Sequence, residues 1–234
     1  MHTDYNTLSI PEATQIQQLL RDQTVIAPYT APIRYIAGTD ISFNKFSTTV
    51  FAGIVVLTFP ALQPIAYSLV KKEVTFPYVP GYLAFREVPA LLDAWQLLLF
   101  KPDVLVLDGH GIAHPRRMGI AAHFGTLIDH ATIGCAKKKL YGRYEEPGPA
   151  RGAYSPLLDK QGGVIGNVLR TKEKVKPVFI SPGHRTDVAT SMDIILPCVR
   201  RHRLPEPTRL AHQAVNQFRL GLLPEGYTAI NPAT

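Results

Sequence analysis

The sequence is poor in cysteine, tryptophan and methionine, with 2, 1 and 3 of these residues among 234. The two cysteines, Cys135 and Cys198, are too few for a disulfide framework or a zinc cluster, and we assign them no role. No apolar run is long enough to span a bilayer. The first residues, MHTDYNTL, contain neither the basic nor the apolar stretch of a secretory signal. We therefore expect a cytoplasmic protein with no membrane partner.

Composition and charge are those of a basic globular protein. Hydrophobic residues make up 46% and charged residues 18% of the chain, as in folded rather than disordered proteins. Lysine and arginine number 25 against 18 acidic residues, which gives a formal net charge of +7. A basic surface favours polyanions such as nucleic acid, although many basic proteins bind none. We expect one domain, residues 1–234, around one core, and a monomer.

A short apolar run that ends in an acidic residue is the central feature of the sequence. Residues 104–107, VLVL, predict a strand buried on both faces of a sheet. Asp108 follows, and Gly109 and Gly111 allow the main chain to approach a ligand closely. Donors suited to phosphate come next: His114, Arg116 and Arg117. Asp before Gly is also common in turns, so a catalytic acid and a polar turn remain equal alternatives.

Three β-rich runs precede that strand and predict an antiparallel meander. They cover residues 34–43, 50–59 and 65–75. Asp40 lies inside the first run, where aspartate is disfavoured unless it is paired or bound to metal. A hydrogen-bonded structural aspartate is the alternative.

An amphipathic pattern predicts a helix over residues 87–100. Proline is tolerated in the first turn of a helix, so Pro89 places Glu87 at the amino end, where the helix dipole favours an acid. Weaker signals predict the other elements: a helix capped by Ser9 with Glu12, a helix over 118–128, strands over 131–136, 164–169 and 177–180, a connection over 141–156, a loop over 181–185, a helix capped by Thr186, and a final helix over 208–220.

A proline-rich segment, FPYVPG at residues 76–81, predicts a stiff loop. Its prolines flank Tyr78 and Val79. A rigid aromatic tip on a basic protein suits a wedge between stacked bases. A buried corner is the alternative, and the residues alone favour it.

Three acidic side chains converge if the first and fourth strands are neighbours. Asp40 and Asp108 then lie side by side, and Glu87 approaches from the helix above them. Carboxylates brought together repel one another without a cation. Mg²⁺ prefers such oxygen ligands, whereas the Cys/His pattern of zinc sites is missing. The sequence therefore predicts metal-assisted phosphodiester hydrolysis.

Several long motifs resemble the endonuclease V family, the deoxyinosine 3′ endonucleases of DNA repair. In chain order they are AGTDISF, FPYVPGYLAFRE, VLVLDGHGIAHPRRMGIAAHFG, IGCAKKKLYG and RLPEPTRLAH, within residues 36–212. The resemblance implies an α/β fold with a ribonuclease H-like mixed central sheet flanked by helices. It also implies Mg²⁺-dependent nicking of DNA at the second phosphodiester 3′ to deoxyinosine or another deaminated base, with Mn²⁺ as a substitute ion and the lesion left in place.

The resemblance further implies roles for individual residues. Asp40 and Asp108 match the metal-binding aspartates, and Glu87 matches the third catalytic carboxylate. His114 and Lys137 fall at positions of DNA contact and of the reacting water, while the catalytic role of His212 stays open. The strand-separating wedge corresponds to Pro77, Tyr78, Val79 and Pro80. The pocket for the flipped base is bordered by Gly81, Leu83, Gly109 and Gly111.

Two other functions compete with this reading. An enzyme of the same fold could act on inosine-containing RNA or on branched DNA, and motifs do not exclude it. A non-catalytic module that binds distorted strands is the second alternative. The complete acidic set argues against the module, because acids near phosphate weaken binding unless a metal is present.

Overall fold

The computed structural model describes residues 4–44 and 47–230, which form one mixed β-sheet between two layers of helices. Nine strands occur in these ranges: β1 Tyr35–Phe43, β2 Thr49–Thr58, β3 Pro64–Glu73, β4 Val104–Leu107, β5 Thr132–Ala136, β6 Tyr154–Leu158, β7 Val164–Leu169, β8 Val178–His184 and β9 Gly226–Ala229. The α-helices are α1 Ile10–Gln23, α2 Leu83–Leu97, α3 Ile120–Ile128, α4 Val188–Ile195 and α5 Glu206–Arg219. None of the helices in this part of the chain is both long and apolar enough to cross a membrane.

The strand order is β6-β7-β8-β5-β4-β1-β2-β3-β9. Strands β1, β2 and β3 form the predicted antiparallel meander, and β4 joins β1 in parallel. In that register Thr39 lies opposite Leu107, so the next residues along the two strands are Asp40 and Asp108. The order β-β-β-α-β and the mixed sheet confirm the ribonuclease H-like fold class.

The core has two halves because the side chains of the central strand alternate between the faces of the sheet. Val104 and Val106 pack on the face covered by α4 and α5. Leu105 and Leu107 pack on the opposite face, with α2 and α3. Burial of β4 on both faces is what its unbroken apolar sequence predicts, and it holds the strand end carrying Asp108 in place.

Helix α2 differs from its prediction in a way that changes the position of Glu87. The helix begins at Leu83 and ends at Leu97, so Glu87 lies in its second turn and Pro89 lies inside it. Ala84 and Phe85 are buried, and they extend the apolar face one turn toward the amino end. The assignment of Glu87 to the helix terminus is therefore wrong, and the helix dipole does not account for this acid.

Other predicted boundaries also require correction. Strand β8 continues to His184, through the segment predicted as a loop. Pro182 is accommodated because it lies beyond the stretch that pairs with β7, where its missing N–H breaks no ladder bond. Asp187, rather than Thr186, caps α4 by accepting from Thr190 N at 2.7 Å. Strands β6 and β9 were not predicted, and β6 begins inside the expected connection over 141–156.

Candidate functional site

Two carboxylates and one imidazole meet at the ends of β1 and β4. Asp40, Asp108 and His212 each offer a ligand atom, and these atoms lie within 4.8 Å of one another. The parallel pairing of β1 with β4 brings the aspartates together, and α5 crosses β1 to deliver the histidine. The carboxylates, the imidazole and their spacing suit a divalent cation.

The close approach of α5 to β1 depends on a glycine. A Cβ built on Gly38 would lie 1.9 Å from the carbonyl oxygen of Pro207 and 2.7 Å from the nitrogen of Thr208. Only a residue without a side chain lets the start of α5 rest on the strand at this point. Asp40 follows two residues later, so this contact sets the position of His212 relative to the carboxylate.

Hydrogen bonds orient the imidazole of His212. Its Nδ1 lies 3.0 Å from Asp40 Oδ2, and its Nε2 lies 3.1 Å from Asn216 Nδ2. Asn216 Nδ2 donates to Nε2, so in the neutral ring Nδ1 carries the hydrogen and donates it to Asp40. Burial and the nearby Lys137 lower the pKa of His212, which favours this neutral form.

Glu87 lies behind the two aspartates in a buried environment. Burial, followed by the charges of Asp108 and Asp40, raises the pKa of Glu87 to about 8. Burial and the neighbouring Asp108 also raise the pKa of Asp40. Carboxylates that resist ionisation in this way lack sufficient positive charge around them. A divalent cation would supply that charge, so the acidic set fits one.

Lys137 supplies part of the missing charge from the end of β5. Its Nζ pairs with Asp108 Oδ2, and its carbonyl oxygen accepts from Arg203 Nη2 at 2.6 Å. Arg203 Nη2 also donates to Pro177 O at 2.9 Å, which joins the ends of β5 and β8. The lysine is therefore held from both its main chain and its side chain beside the acids.

The proline-rich loop projects from the protein beside this cluster. The side chain of Tyr78 is 65% exposed, and Pro77 and Pro80 are exposed as well. Below them Phe76 is fully buried and stacks on Phe85, with ring centroids 5.4 Å apart. The alternative of a buried corner is thus wrong, because the loop is anchored by Phe76 and presents Tyr78 outward.

A cavity of about 240 Å³ lies between this loop and the acidic cluster. It is lined by the predicted pocket residues Gly81, Leu83 and Gly109, and also by Glu87 and Asp108. Further walls, which the sequence did not reveal, are Ala84, Met118, Gly119, Ile120 and Leu140. The cavity therefore adjoins the carboxylates directly.

The predicted pocket residue Gly111 packs against β8. Gly111 does not line the cavity, and its N–H donates to Ser181 Oγ at 2.8 Å. A Cβ on Gly111 would lie 1.9 Å from Pro182 O. This glycine is needed because the turn after β4 packs tightly against β8, and its place beside a flipped base stays a prediction.

His114 is a buried wall of the cavity rather than a surface residue. It is 2% exposed, and its Nδ1 accepts from the main-chain nitrogen of Arg116 at 3.1 Å. Burial, and then the charge of Arg116, lowers the pKa of His114 to about 4, so the ring is neutral near pH 7. A DNA contact by His114 stays a prediction, and any such contact has to be made through the cavity.

Two arginines that follow His114 are engaged within the protein. Arg116 Nε donates to Gln17 Oε1 at 2.6 Å, and its Nη2 donates to Gly81 O at 2.7 Å. Arg117 pairs with Asp159. The sequence indicated both arginines as donors suited to phosphate, and it indicated no role for Gln17. Only its burial distinguishes Gln17 from other glutamines, and burial cannot be read from the sequence.

Comparisons with known proteins agree on one family. The profile of the endonuclease V family matches residues 16–213. The chain is 47% identical over 212 residues to the endonuclease V of a Roseiflexus species, covering 91% of this chain and 94% of that protein.

Solved structures give the same result. The crystal structure of endonuclease V from Streptomyces avermitilis superposes with a TM-score of 0.87 at 38% identity, over 92% of this chain and 95% of that one. Ciona intestinalis endonuclease V, solved in complex with a 24mer DNA containing an inosine followed by a ribo-adenosine, superposes with a TM-score of 0.81 at 27% identity, over 92% and 99% of the two chains.

Proposed function

The chain belongs to the endonuclease V family of nucleases, and from that premise we propose that it nicks DNA at the second phosphodiester bond 3′ to deoxyinosine and other deaminated bases. The lesion stays in the strand, and the new end carries a 5′-phosphate. One feature carries this proposal: the cavity of about 240 Å³ has Glu87 and Asp108 in its wall and Tyr78 at its mouth. Base recognition and hydrolysis are thus adjacent.

Mg²⁺ is the cofactor we propose for this site, with Mn²⁺ as a substitute. Asp40 and Asp108 would hold the ion, and His212 stands beside them. The support is the donor set itself, since hard divalent cations prefer carboxylate oxygens and the cluster is short of positive charge. A bound divalent cation would lower the pKa of a water molecule and stabilise the departing oxygen.

The residues of the chain contribute the other parts of the reaction. Lys137 adds positive charge where the phosphate would lie, because its Nζ is already next to Asp108. With no cation present, burial and the neighbouring aspartates raise the pKa of Glu87 to about 8, and a bound cation would lower that pKa. We therefore assign Glu87 the role of a general acid or base. Such groups work best when their pKa lies near the working pH.

Recognition of the lesion is assigned to the loop and the cavity. Enzymes that act on a damaged base turn it out of the stack into a pocket, and the same movement would bring a deaminated base into this cavity. Tyr78 is exposed at the tip of a loop stiffened by Pro77 and Pro80, which suits insertion into the gap left behind. Gly81 and Gly109 line the cavity and let main-chain groups approach the base.

A nicking assay on duplex DNA carrying a single deoxyinosine tests the proposal. We expect cleavage with Mg²⁺, none with a chelator, and near-complete loss in Asp40→Ala and Asp108→Ala. The same duplex with deoxyadenosine at that position is the matched control substrate. Full activity in either aspartate variant would refute the metal-site assignment.

Inosine-containing RNA is a second candidate substrate. The Ciona intestinalis relative was solved in complex with a DNA that contains an inosine followed by a ribo-adenosine, so the bound strand of that complex includes a ribonucleotide. Matched DNA and RNA oligonucleotides, each with one inosine, would compete for this enzyme. A preference for the RNA strand would favour the second candidate over DNA repair.

A further inference from the structure

The mouth of the candidate base pocket is tied to the amino-terminal helix α1 by buried polar contacts. The carbonyl oxygen of Gly81 accepts two hydrogen bonds, from Gln17 Nε2 at 2.9 Å and from Arg116 Nη2 at 2.7 Å. The two donors also bind each other, because Arg116 Nε donates to Gln17 Oε1 at 2.6 Å. The three groups form a closed triangle between α1, the loop and the segment after β4.

The neighbouring tyrosine extends this cluster. The guanidinium of Arg116 lies over the ring of Tyr82, 4.2 Å from its centroid. On the other side, the hydroxyl of Tyr82 forms a 2.8 Å hydrogen bond with Thr14 Oγ1 of α1. Tyr82 is the residue before α2, so these contacts also fix the point where the loop passes into the helix.

The opposite end of the loop has its own anchor. Arg86 Nη1 donates to the carbonyl oxygen of Phe76 at 2.9 Å, on the side where the loop leaves β3. Gly81 is thus the second of two fixed points, and residues 77–80, of which Pro77, Tyr78 and Pro80 are exposed, lie between them. Loss of either anchor would free the adjacent half of the loop.

Burial and geometry give the Gly81 anchor its strength. Gln17 is 1% exposed, although glutamine seldom lies inside a protein, and its amide is satisfied by Gly81 and Arg116. Gly81 has a φ of +83°, and a Cβ there would lie 2.8 Å from Arg116 Nη2. The loop therefore passes close to the arginine at a point where its backbone favours glycine, and the Nε and Nη2 groups of Arg116 are engaged inside the protein.

We propose that Gln17 and Arg116 are positioning residues for lesion selectivity. They hold the carbonyl group of Gly81 and thereby fix the proline-rich loop, which carries Tyr78, over the base pocket. Neither residue touches the acidic cluster through the contacts described above, so their loss changes which DNA is cut more than how fast bound DNA is cut. The claim that these residues affect lesion selectivity rests on the proposed function. The claim that they hold the loop does not, and it is measured separately by hydrogen exchange.

Adjacent glutamines on α1 provide a matched test. Gln17→Ala removes one donor to Gly81, whereas Gln18→Ala changes an exposed residue of the same type one position along. Hydrogen exchange across residues 76–87 reports the anchoring directly, and we expect faster exchange in Gln17→Ala only. In the nicking assay we expect the ratio of kcat/KM for inosine-containing over normal duplex to fall on the order of tenfold, as for a lost charge-assisted hydrogen-bond network, with kcat on inosine-containing DNA nearly unchanged.

Adjacent arginines separate anchoring from phosphate binding. Arg116→Lys keeps the positive charge but loses the planar fork that serves Gln17 and Gly81 together. Arg117→Gln removes a neighbouring charge that pairs with Asp159 instead of the loop. We expect Arg116→Lys to resemble Gln17→Ala in both readouts, and Arg117→Gln to keep the selectivity and exchange rates of the unmodified protein.

Three outcomes would overturn the proposal. Retained selectivity and unchanged exchange in Arg116→Lys would mean that charge alone suffices. Equal losses in Gln17→Ala and Gln18→Ala would mean a general effect on α1. The third is unchanged exchange across residues 76–87 in both Gln17→Ala and the milder Tyr82→Phe, which would mean that the loop has no anchor here. Tyr82→Phe keeps the ring but removes the hydrogen bond to Thr14.

If the unmodified protein does not nick inosine-containing DNA, the proposed function fails while the exchange experiment still tests the anchor.

Discussion

His212 Nδ1 lies 3.0 Å from Asp40 Oδ2, although 172 positions separate the two residues in the chain. We predict that His212→Gln lowers nicking on the order of tenfold, because the imidazole orients Asp40 and lies within reach of the same cation. The Mg²⁺ concentration needed for half-maximal activity is expected to rise. A metal titration of both proteins measures this, with the exposed His202→Gln as the control. An unchanged metal requirement would limit His212 to a packing role.

Gly38→Ala should damage both stability and activity. The new Cβ would collide with the main chain of Pro207 at 1.9 Å, and α5 has to move away from β1. Overpacking of this kind costs about 1–3 kcal/mol in unfolding free energy. Because α5 carries His212, nicking should fall as well. Gly148→Ala is the matched control, since a Cβ there meets its nearest neighbour, Ala153, at an ordinary 3.6 Å. Denaturant unfolding and the nicking assay check the two effects.

Tyr78→Ala is predicted to separate recognition from catalysis. The side chain is exposed, so its removal should change the unfolding free energy by less than about 0.5 kcal/mol. Discrimination between inosine-containing and normal duplex should fall, while Mg²⁺ dependence stays that of the unmodified protein. Exposed Tyr154, at the far edge of the sheet in β6, offers a matched Tyr154→Ala control. Discrimination equal to that of the control would argue against a wedge.

The buried His123 should make folding sensitive to mild acid. Burial, followed by the nearby His114, lowers the pKa of His123 from the 6.5 usual for histidine to about 3. Below about pH 6.5, His123 therefore binds a proton in the unfolded chain but stays neutral in the folded protein. The stabilisation is complete above that pH and is lost as the pH falls toward 3.

His123→Gln removes this group and tests the pH prediction. The unfolding free energy of the unmodified protein should fall with decreasing pH more steeply than that of the variant, by at most about 1.4 kcal/mol per pH unit. His114 adds a similar dependence because its pKa is lowered to about 4, so some slope remains in the variant. The exposed His202→Gln should show the full slope. Parallel curves for the unmodified protein and His123→Gln would contradict the assignment.

Sequence patterns predicted the buried centre of the fold better than its edges. Strands β4 and β7 have the predicted bounds, and for β4 the reason is that continuous apolar residues have few alternatives once both faces of a sheet are covered. Strands β6 and β9 lie at the two edges of the sheet, and their half-exposed residues carry little periodic signal. The start of α2 was predicted too late in the chain because Pro89 was assigned to the first turn. Local rules for proline do not include the tertiary packing that holds the helix on both sides of Pro89.

The acidic cluster followed from chain order, but its surroundings did not. Placing the first strand beside the fourth was enough to bring Asp40 next to Asp108. The contacts of Gln17 and Gly111 depend on which distant segments approach them, and no spacing in the sequence encodes that. Glycines carried the most ambiguous signal: Gly109 lines the cavity, whereas Gly111, two positions on, serves packing against β8.

The place of α5 in the chain also bears on biosynthesis. A nascent chain synthesised only as far as α4 already holds Asp40, Glu87 and Asp108, yet it lacks the histidine that α5 brings to β1. Contacts between such distant segments require long loops to close, which makes them slow to form during folding. The complete cluster therefore arises only once the ribosome has released most of the chain, and unfinished copies of a nuclease carry an incomplete site.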